Sequence, residues 1–270
     1  MTKKANVLVV TGYGTNCDRE TAYTAQMAGA DHVVIAHFSD LIQERYLIPE
    51  FNLLVFPGGF LDGDNLGAAQ AAAQRWRYTT TKSGRSLLED VQNLHQQGGL
   101  ILGICNGFQL LVKLGLLPAL EGRYFQRQVS LSYNDSARFE DRWSYLRCNP
   151  QSACIFTKDI EQIYLPVRHG EGKLQALNEN ILRQLENEQL IAMQYTDKQG
   201  QPTQEYPLNP NGSPLAIAGL TDPSGQIFGL MPHPEAYNHE TNHPAWTRGK
   251  KSVLGTKLFA NAITHLQNSQ

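Results

Sequence analysis

The chain has 270 residues, a formal net charge of −2 and four cysteines. That length suits one large α/β domain spanning 1–270, and the near-neutral balance argues against a nucleic-acid partner. No apolar run is long enough for a membrane span, and Cys17, Cys105, Cys148 and Cys154 form neither a disulfide scaffold nor a Cys-x-x-Cys zinc pair.

The first apolar run, 6–10, is cut short by Gly12 and Tyr13. It reads as the opening strand of a cytoplasmic protein, not as a signal peptide. A helix over 19–28 follows, then strands at 33–36 and 53–56 and helices over 68–78 and 86–97. Strand and helix alternate, so the expected fold is α/β, with a mostly parallel central sheet flanked by helices. Gly12-x-Gly14 is not a full dinucleotide fingerprint, because Cys17 stands where the third glycine belongs. Residues 57–64, Pro-Gly-Gly-Phe-Leu-Asp-Gly-Asp, close the third strand. Their glycines suit a loop that presents main-chain N–H groups to a ligand. Asp62 and Asp64 lack the further carboxylates of a metal site.

Leu100–Ile104 is a short apolar run that fits a strand buried on both faces. Helical spacing starts at Asn106, with Phe108, Leu111 and Val112 in register. Cys105 sits at the switch between Gly103 and Gly107, a nucleophile elbow with sulfur in place of a hydroxyl. A helix N-terminus favours a thiolate there. The plain alternative is a buried core cysteine in an ordinary strand–helix unit.

Beyond residue 119 the pattern changes to short strands, at 123–132, 143–148 and 163–167, with a polar link over 134–142. They suggest a small additional antiparallel β element. The last of them runs into the turn Arg168-His-Gly-Glu-Gly172. Another strand at 189–195 precedes a long polar loop over 199–214. Strands 217–220 and 227–231 bracket the hairpin turn 222–225, and an amphipathic helix covers 252–266.

A cysteine nucleophile needs a base and a group to orient it. Met231-Pro-His-Pro-Glu235 offers both: in an extended segment His233 and Glu235 face the same side, and the prolines favour that conformation. His239-Glu-Thr-Asn-His243 matches a zinc-protease helix motif, but flanking prolines and the lack of an apolar stripe make it a surface loop. Cys17 has no glycine elbow and no local base, and reads as structural or interface-facing. No metal site is expected.

With these residues in hand, the chain resembles the class I (triad) glutamine amidotransferases, which have a flavodoxin-like fold. Within that class it more closely resembles the glutaminase subunit or domain of phosphoribosylformylglycinamidine synthase. The matching segments are 14–18, 57–60 with Gly63-Asp64, 103–109, 138–143, 169–172, 209–214 and 231–235. The resemblance implies that Cys105 attacks the side-chain amide of L-glutamine, His233 carries the proton and Glu235 holds the imidazole. It implies main-chain donors at Gly58 or Gly59 and at Asn106 for the oxyanion. It also implies substrate contacts at Gln109 and at the turn of His169 and Gly170. Ammonia would pass to a separate synthetase subunit that uses ATP and magnesium, with a small accessory subunit as a further partner and no cofactor in this chain.

Leu61-Asp62, Leu215-Ala216 and the long 68–97 segment depart from the family pattern, away from the catalytic positions. The competing readings are a glutaminase serving GMP, CTP or carbamoyl phosphate synthesis, and a catalytically silent regulatory subunit on the same fold. An α/β-hydrolase-type enzyme would place its histidine after the acid, which is the reverse of the order here.

Overall fold

Strands without polar alternation belong inside a sheet covered on both faces. Leu53–Phe56 and Leu100–Ile104 obey this, with every residue buried. The computed structural model describes residues 3–269. Its first half runs β1 (Asn6–Thr11), α1 (Asp18–Met27), β2 (His32–His37), α2 (Phe38–Ile42), β3 (Leu53–Phe56), α3 (Gln70–Tyr78), α4 (Leu87–Gln96), β4 (Leu100–Ile104) and α5 (Asn106–Leu114). The second half runs β5 (Val129–Ser132), β6 (Glu140–Cys148), β7 (Gln162–His169), β8 (Lys173–Ala176), α6 (Glu179–Asn187), β9 (Ile191–Thr196), β10 (Ile217–Thr221), β11 (Ile227–Leu230) and α7 (Thr256–Asn268).

The main sheet has nine strands in the order β2-β1-β3-β4-β11-β10-β9-β6-β7. From β2 to β11 every pairing is parallel. From β11 to β7 every pairing is antiparallel. A separate two-stranded ribbon, β5 with β8, is antiparallel. Helix α5 packs on β3, β4 and β11 and also against β5. That double coverage explains why it is apolar nearly all round. Helix α1 packs on β1, β2 and α7.

Strand order reverses between β1 and β3, and in such sheets ligands sit beyond the carboxyl ends of the strands. The loops that leave β1, β3, β4 and β11 carry Cys17, Gly58, Cys105 and His233 to that edge. The far strand β7 also reaches it. Its end curls back, so that Val167 pairs with Pro232 just past β11.

Several boundaries differ from the sequence pattern. Helix α3 starts at Gln70 rather than 68, because Ala69 takes φ 57°. Only Val129–Ser132 of the 123–132 stretch is strand, since Phe125 turns at φ 63°. Strand β6 starts at Glu140, inside the supposed polar link, and pairs with β7 as far as His169. Helix α7 starts at Thr256 rather than 252, because the main chain of Ser252 is held by the Tyr237 hydroxyl (3.2 and 3.3 Å). Strand β8 and helix α6 were not anticipated. Asn178 caps α6 with a 3.1 Å bond from the Ile181 N–H, and Ile181 and Leu185 anchor it.

Candidate active site

Cys105 stands between β4 and α5 with φ 51° and ψ −103°. Such a backbone costs about 1–3 kcal/mol and persists only where its surroundings enforce it. Here the Cys105 N–H is fixed to the Leu230 carbonyl at 2.7 Å, and the Cys105 carbonyl accepts from the Gln109 N–H at 3.0 Å. A β-carbon on Gly103 would meet the main chain of Gly107 at 2.7 Å, so the glycine pair is what lets strand and helix meet this closely. The thiol is buried and donates to the Arg168 carbonyl at 3.4 Å.

His233 leaves β11 in an extended conformation, with its N–H on the Pro166 carbonyl at 2.8 Å. Its Nδ1 meets Glu235 Oε1 at 2.5 Å, and both side chains are buried. A carboxylate only accepts, so Nδ1 carries the proton of this bond. Asn238 Nδ2 and the Thr24 hydroxyl donate to the Glu235 carbonyl at 2.9 and 3.4 Å and fix that turn. Burial by itself lowers the His233 pKa, but the charges of Glu235 and Cys105 outweigh it and hold the imidazole well above its ordinary value. The second ring nitrogen, Nε2, is buried without a hydrogen-bond partner, as is Glu235 Oε2. The geometry therefore brings together a thiol from one stretch of sequence and an imidazole with its orienting carboxylate from another, distant one.

The remaining sequence-predicted residues surround this centre. Gly58 lies against the imidazole: a β-carbon there would sit 2.6 Å from His233 Cε1. Its carbonyl accepts from the Asn16 and Cys17 N–H groups at 3.3 and 3.2 Å. In a planar trans peptide the next N–H points the opposite way, so this grip sets the direction of the Gly59 donor. Asn106 opens α5, where no helical carbonyl can satisfy its N–H. Its Oδ1 accepts from the Leu61 N–H at 3.0 Å. Gln109 is engaged at both ends: Oε1 accepts from Asn106 Nδ2 at 2.9 Å and Nε2 donates to the Glu171 carbonyl at 2.5 Å. It ties the elbow helix to the 168–172 turn. His169 is buried, with Nδ1 against Asn134 Oδ1 at 3.1 Å. Burial, with His233 nearby, drops its pKa to about 3, so it is neutral. Gly170 accepts from the Asn134 N–H at 3.0 Å.

Cys17 has no local base, but the fold brings a distant one to it: its Sγ lies 3.9 Å from His233 Nδ1. The two come together because the loop after β1 packs on the loop after β3, which no local motif announces. Burial pushes the Cys17 thiol pKa up, with smaller opposing and reinforcing effects from His233 and Glu235. Arg168, Asn134 and Glu171 carry no individual signal in the sequence, since each acts through main chain or through a neighbour. Asp62 is engaged by Arg75. Asp64 is raised by burial and by Glu171.

The His239–His243 motif does not form a zinc helix. His239 Nδ1 and His243 Nδ1 accept from the N–H groups of Thr241 and Ala245 (3.3 and 3.0 Å) and cap short turns. His243 is less exposed than a surface loop would have it, because Trp143, Tyr164 and Tyr237 pack round its ring. No helix among the described residues is long and apolar enough to cross a membrane.

Residues 4–266 match the family model of the CobB/CobQ-like glutamine amidotransferase domain. The phosphoribosylformylglycinamidine synthase subunit PurQ of Dehalococcoides mccartyi is 42% identical over 264 residues, covering 96% of this chain and 97% of that one. The same-named subunit of Methanococcus maripaludis strain C7 is 40% identical over 246 residues, 91% of this chain and 87% of that one. A chain in the structure of PurLQS from Thermotoga maritima superposes with a TM-score of 0.70 at 25% identity, over 98% of this chain and all of that one. The elbow, the parallel sheet and these likenesses agree: the chain belongs to the CobB/CobQ-like glutamine amidotransferase family.

Proposed function

We propose that the chain is the glutaminase subunit of a phosphoribosylformylglycinamidine synthase, hydrolysing L-glutamine and passing ammonia to an ATP-dependent synthetase subunit. The resulting reaction converts formylglycinamide ribonucleotide to its amidine in purine biosynthesis. The printed names of the relatives support the assignment of substrate and partner, and the PurLQS likeness supports a multi-subunit assembly. On this reading the whole chain is one cytoplasmic glutaminase domain with no cofactor of its own, and ATP and magnesium serve the synthetase subunit.

The geometry supports the following chemistry. His233 Nε2 takes the proton of Cys105 as its sulfur adds to the amide carbon of glutamine. The developing oxyanion takes N–H bonds from Gly59 and Asn106, donors typically worth about 3 kcal/mol each in the barrier. His233 Nε2 then protonates the departing nitrogen, the C–N bond breaks and ammonia leaves a glutamyl thioester. Water adds to the thioester and gives His233 its proton, and glutamate departs as the thiol is restored. Glu235 keeps the imidazole in one tautomer and stabilises its charged form throughout.

The observation that carries this reading is the buried 2.5 Å His233–Glu235 contact, with Nε2 left unpaired and Cys105 as the ring's other charge partner. The test is C105A in complex with the synthetase. Glutamine-dependent synthesis should vanish while ammonia-dependent synthesis persists, and a diazo-ketone glutamine analogue should label only the chain with Cys105. Glutamine turnover by C105A would refute the assignment, and loss of both activities would place Cys105 in the assembly of the complex instead.

A further inference from the structure

Among the described residues, one trio of metal-capable side chains lies close enough to share an ion: Cys17, His233 and Glu235, with donor atoms within 4.8 Å of one another. We infer that Cys17 Sγ, His233 Nδ1 and a Glu235 carboxylate oxygen form an inhibitory site for a thiophilic divalent cation such as Zn²⁺. The donor set is thiolate, imidazole and carboxylate, a mixture that suits zinc.

The spacing is close to what the ion needs. Zinc–sulfur and zinc–nitrogen bonds at a tetrahedral angle set the two donors roughly 3.6 Å apart, and Cys17 Sγ lies 3.9 Å from His233 Nδ1. The carboxylate lies closer to Nδ1, 2.5 Å away in its hydrogen bond. Insertion of the ion therefore needs the carboxylate to draw back. Glu235 is 1% exposed and its Oε2 has no hydrogen-bond partner, so an unsatisfied oxygen already lies at the site. Cys17 is only partly buried and gives the trio its side toward solvent. Water would complete the coordination.

The proton balance explains the inhibition. Binding releases the thiol proton of Cys17 to solvent, while the Nδ1 proton of His233 leaves and Nε2 takes one up, so one proton is released per ion. Nδ1 then holds metal, so the neutral ring carries its proton on Nε2. An Nε2–H cannot accept the proton of Cys105 or of the hydrolytic water. The ion also takes the Glu235 oxygen that steadied the imidazole. The catalytic cysteine stays untouched and the site is switched off from behind the base. This consequence rests on the glutaminase reading, whereas the ion binding does not.

Equilibrium dialysis and calorimetry with Zn²⁺ alone, on the full chain and on its C105A and C17S variants, test the inference. C105A should keep one tightly bound ion. C17S should bind it more weakly by at least the roughly 10–100-fold that losing even an outer-sphere partner costs. With Co²⁺, C105A should show a thiolate-to-metal charge-transfer band that C17S/C105A lacks. A C17S chain that binds zinc like the parent, or a C105A chain that loses the ion, would overturn the proposal. Far-ultraviolet circular dichroism of C17S establishes that it folds, and the cobalt band in C105A decides the matter if it does not. A chain that binds zinc at Cys17 yet, freed of metal and in complex with the synthetase subunit, hydrolyses no glutamine would refute the enzymatic reading while leaving the metal site standing.

Discussion

A β-carbon on Gly107 would lie 1.9 Å from the carbonyl oxygen of Phe56. The first turn of α5 therefore rests directly on the end of β3, and no side-chain rotation could relieve an added methyl group. We expect G107A to lower stability in urea by about 1–3 kcal/mol, as overpacking does. The turn that aims Cys105 would shift with it, and a displacement near 1 Å costs about 10²-fold in rate. Unchanged unfolding and turnover in G107A would show that helix and strand can part there.

E235Q keeps the shape of Glu235 and removes its charge. Burial would then act on His233 with less opposition, and its pKa should fall. The limb of the pH–rate profile that reports this group should move to lower pH, with kcat down by about 10²–10⁴-fold, the usual scale of general acid–base assistance. A profile with an unmoved limb would separate Glu235 from the base. The same pair bears on stability. A raised folded pKa gives a contribution fully present below the unfolded imidazole value of about 6.5 and lost as pH rises through the folded value. The stability gap between the parent and H233Q should narrow as the solution becomes alkaline.

His169 works in the opposite direction. Its folded pKa is held at about 3, so between there and about 6.5 the unfolded chain binds a proton that the folded chain refuses. Its contribution is present above that window and drains away as pH falls through it. H169Q should flatten the dependence of urea unfolding on pH between these limits, whatever its effect at neutrality. An identical slope in the two proteins would mean that His169 does take up a proton in the fold.

Gln109 braces the elbow helix to the 168–172 turn rather than ending in open space. Removing the brace leaves the Asn106 amide and the Glu171 carbonyl short of a partner, at about 1–3 kcal/mol for a buried group. We expect Q109L to raise KM for glutamine by about tenfold, with a smaller change in kcat. Steady-state kinetics at saturating synthetase would read this, and an effect confined to kcat would place Gln109 against the reacting atoms.

What the sequence made legible is what local pattern encodes. The parallel strands are unbroken apolar runs, the elbow is a glycine-flanked cysteine between two periodicities, and His233 with Glu235 sits in a proline-stiffened segment. Helix α6 carries equally local signals, with Asn178 as cap and Ile181 and Leu185 one turn apart, but it is short and buries only those two residues. Strand β8 buries one large side chain, Leu174, and so has little alternation to show. The approach of Cys17 to His233 and the return of β7 over the site are products of tertiary packing, and nothing within a window of neighbouring residues announces either.

The return of β7 has a consequence for biosynthesis. Cys105 leaves the ribosome well before Pro166 and Pro232, whose contacts seat His233. On the proposed function, a partly made chain thus exposes a sulfur with no imidazole to arm it, and the nucleophile gains its potency only as β11 and the end of β7 close. Potency therefore waits on the 231–235 segment and its docking against the end of β7, so a molecule interrupted upstream of that segment lacks a working site.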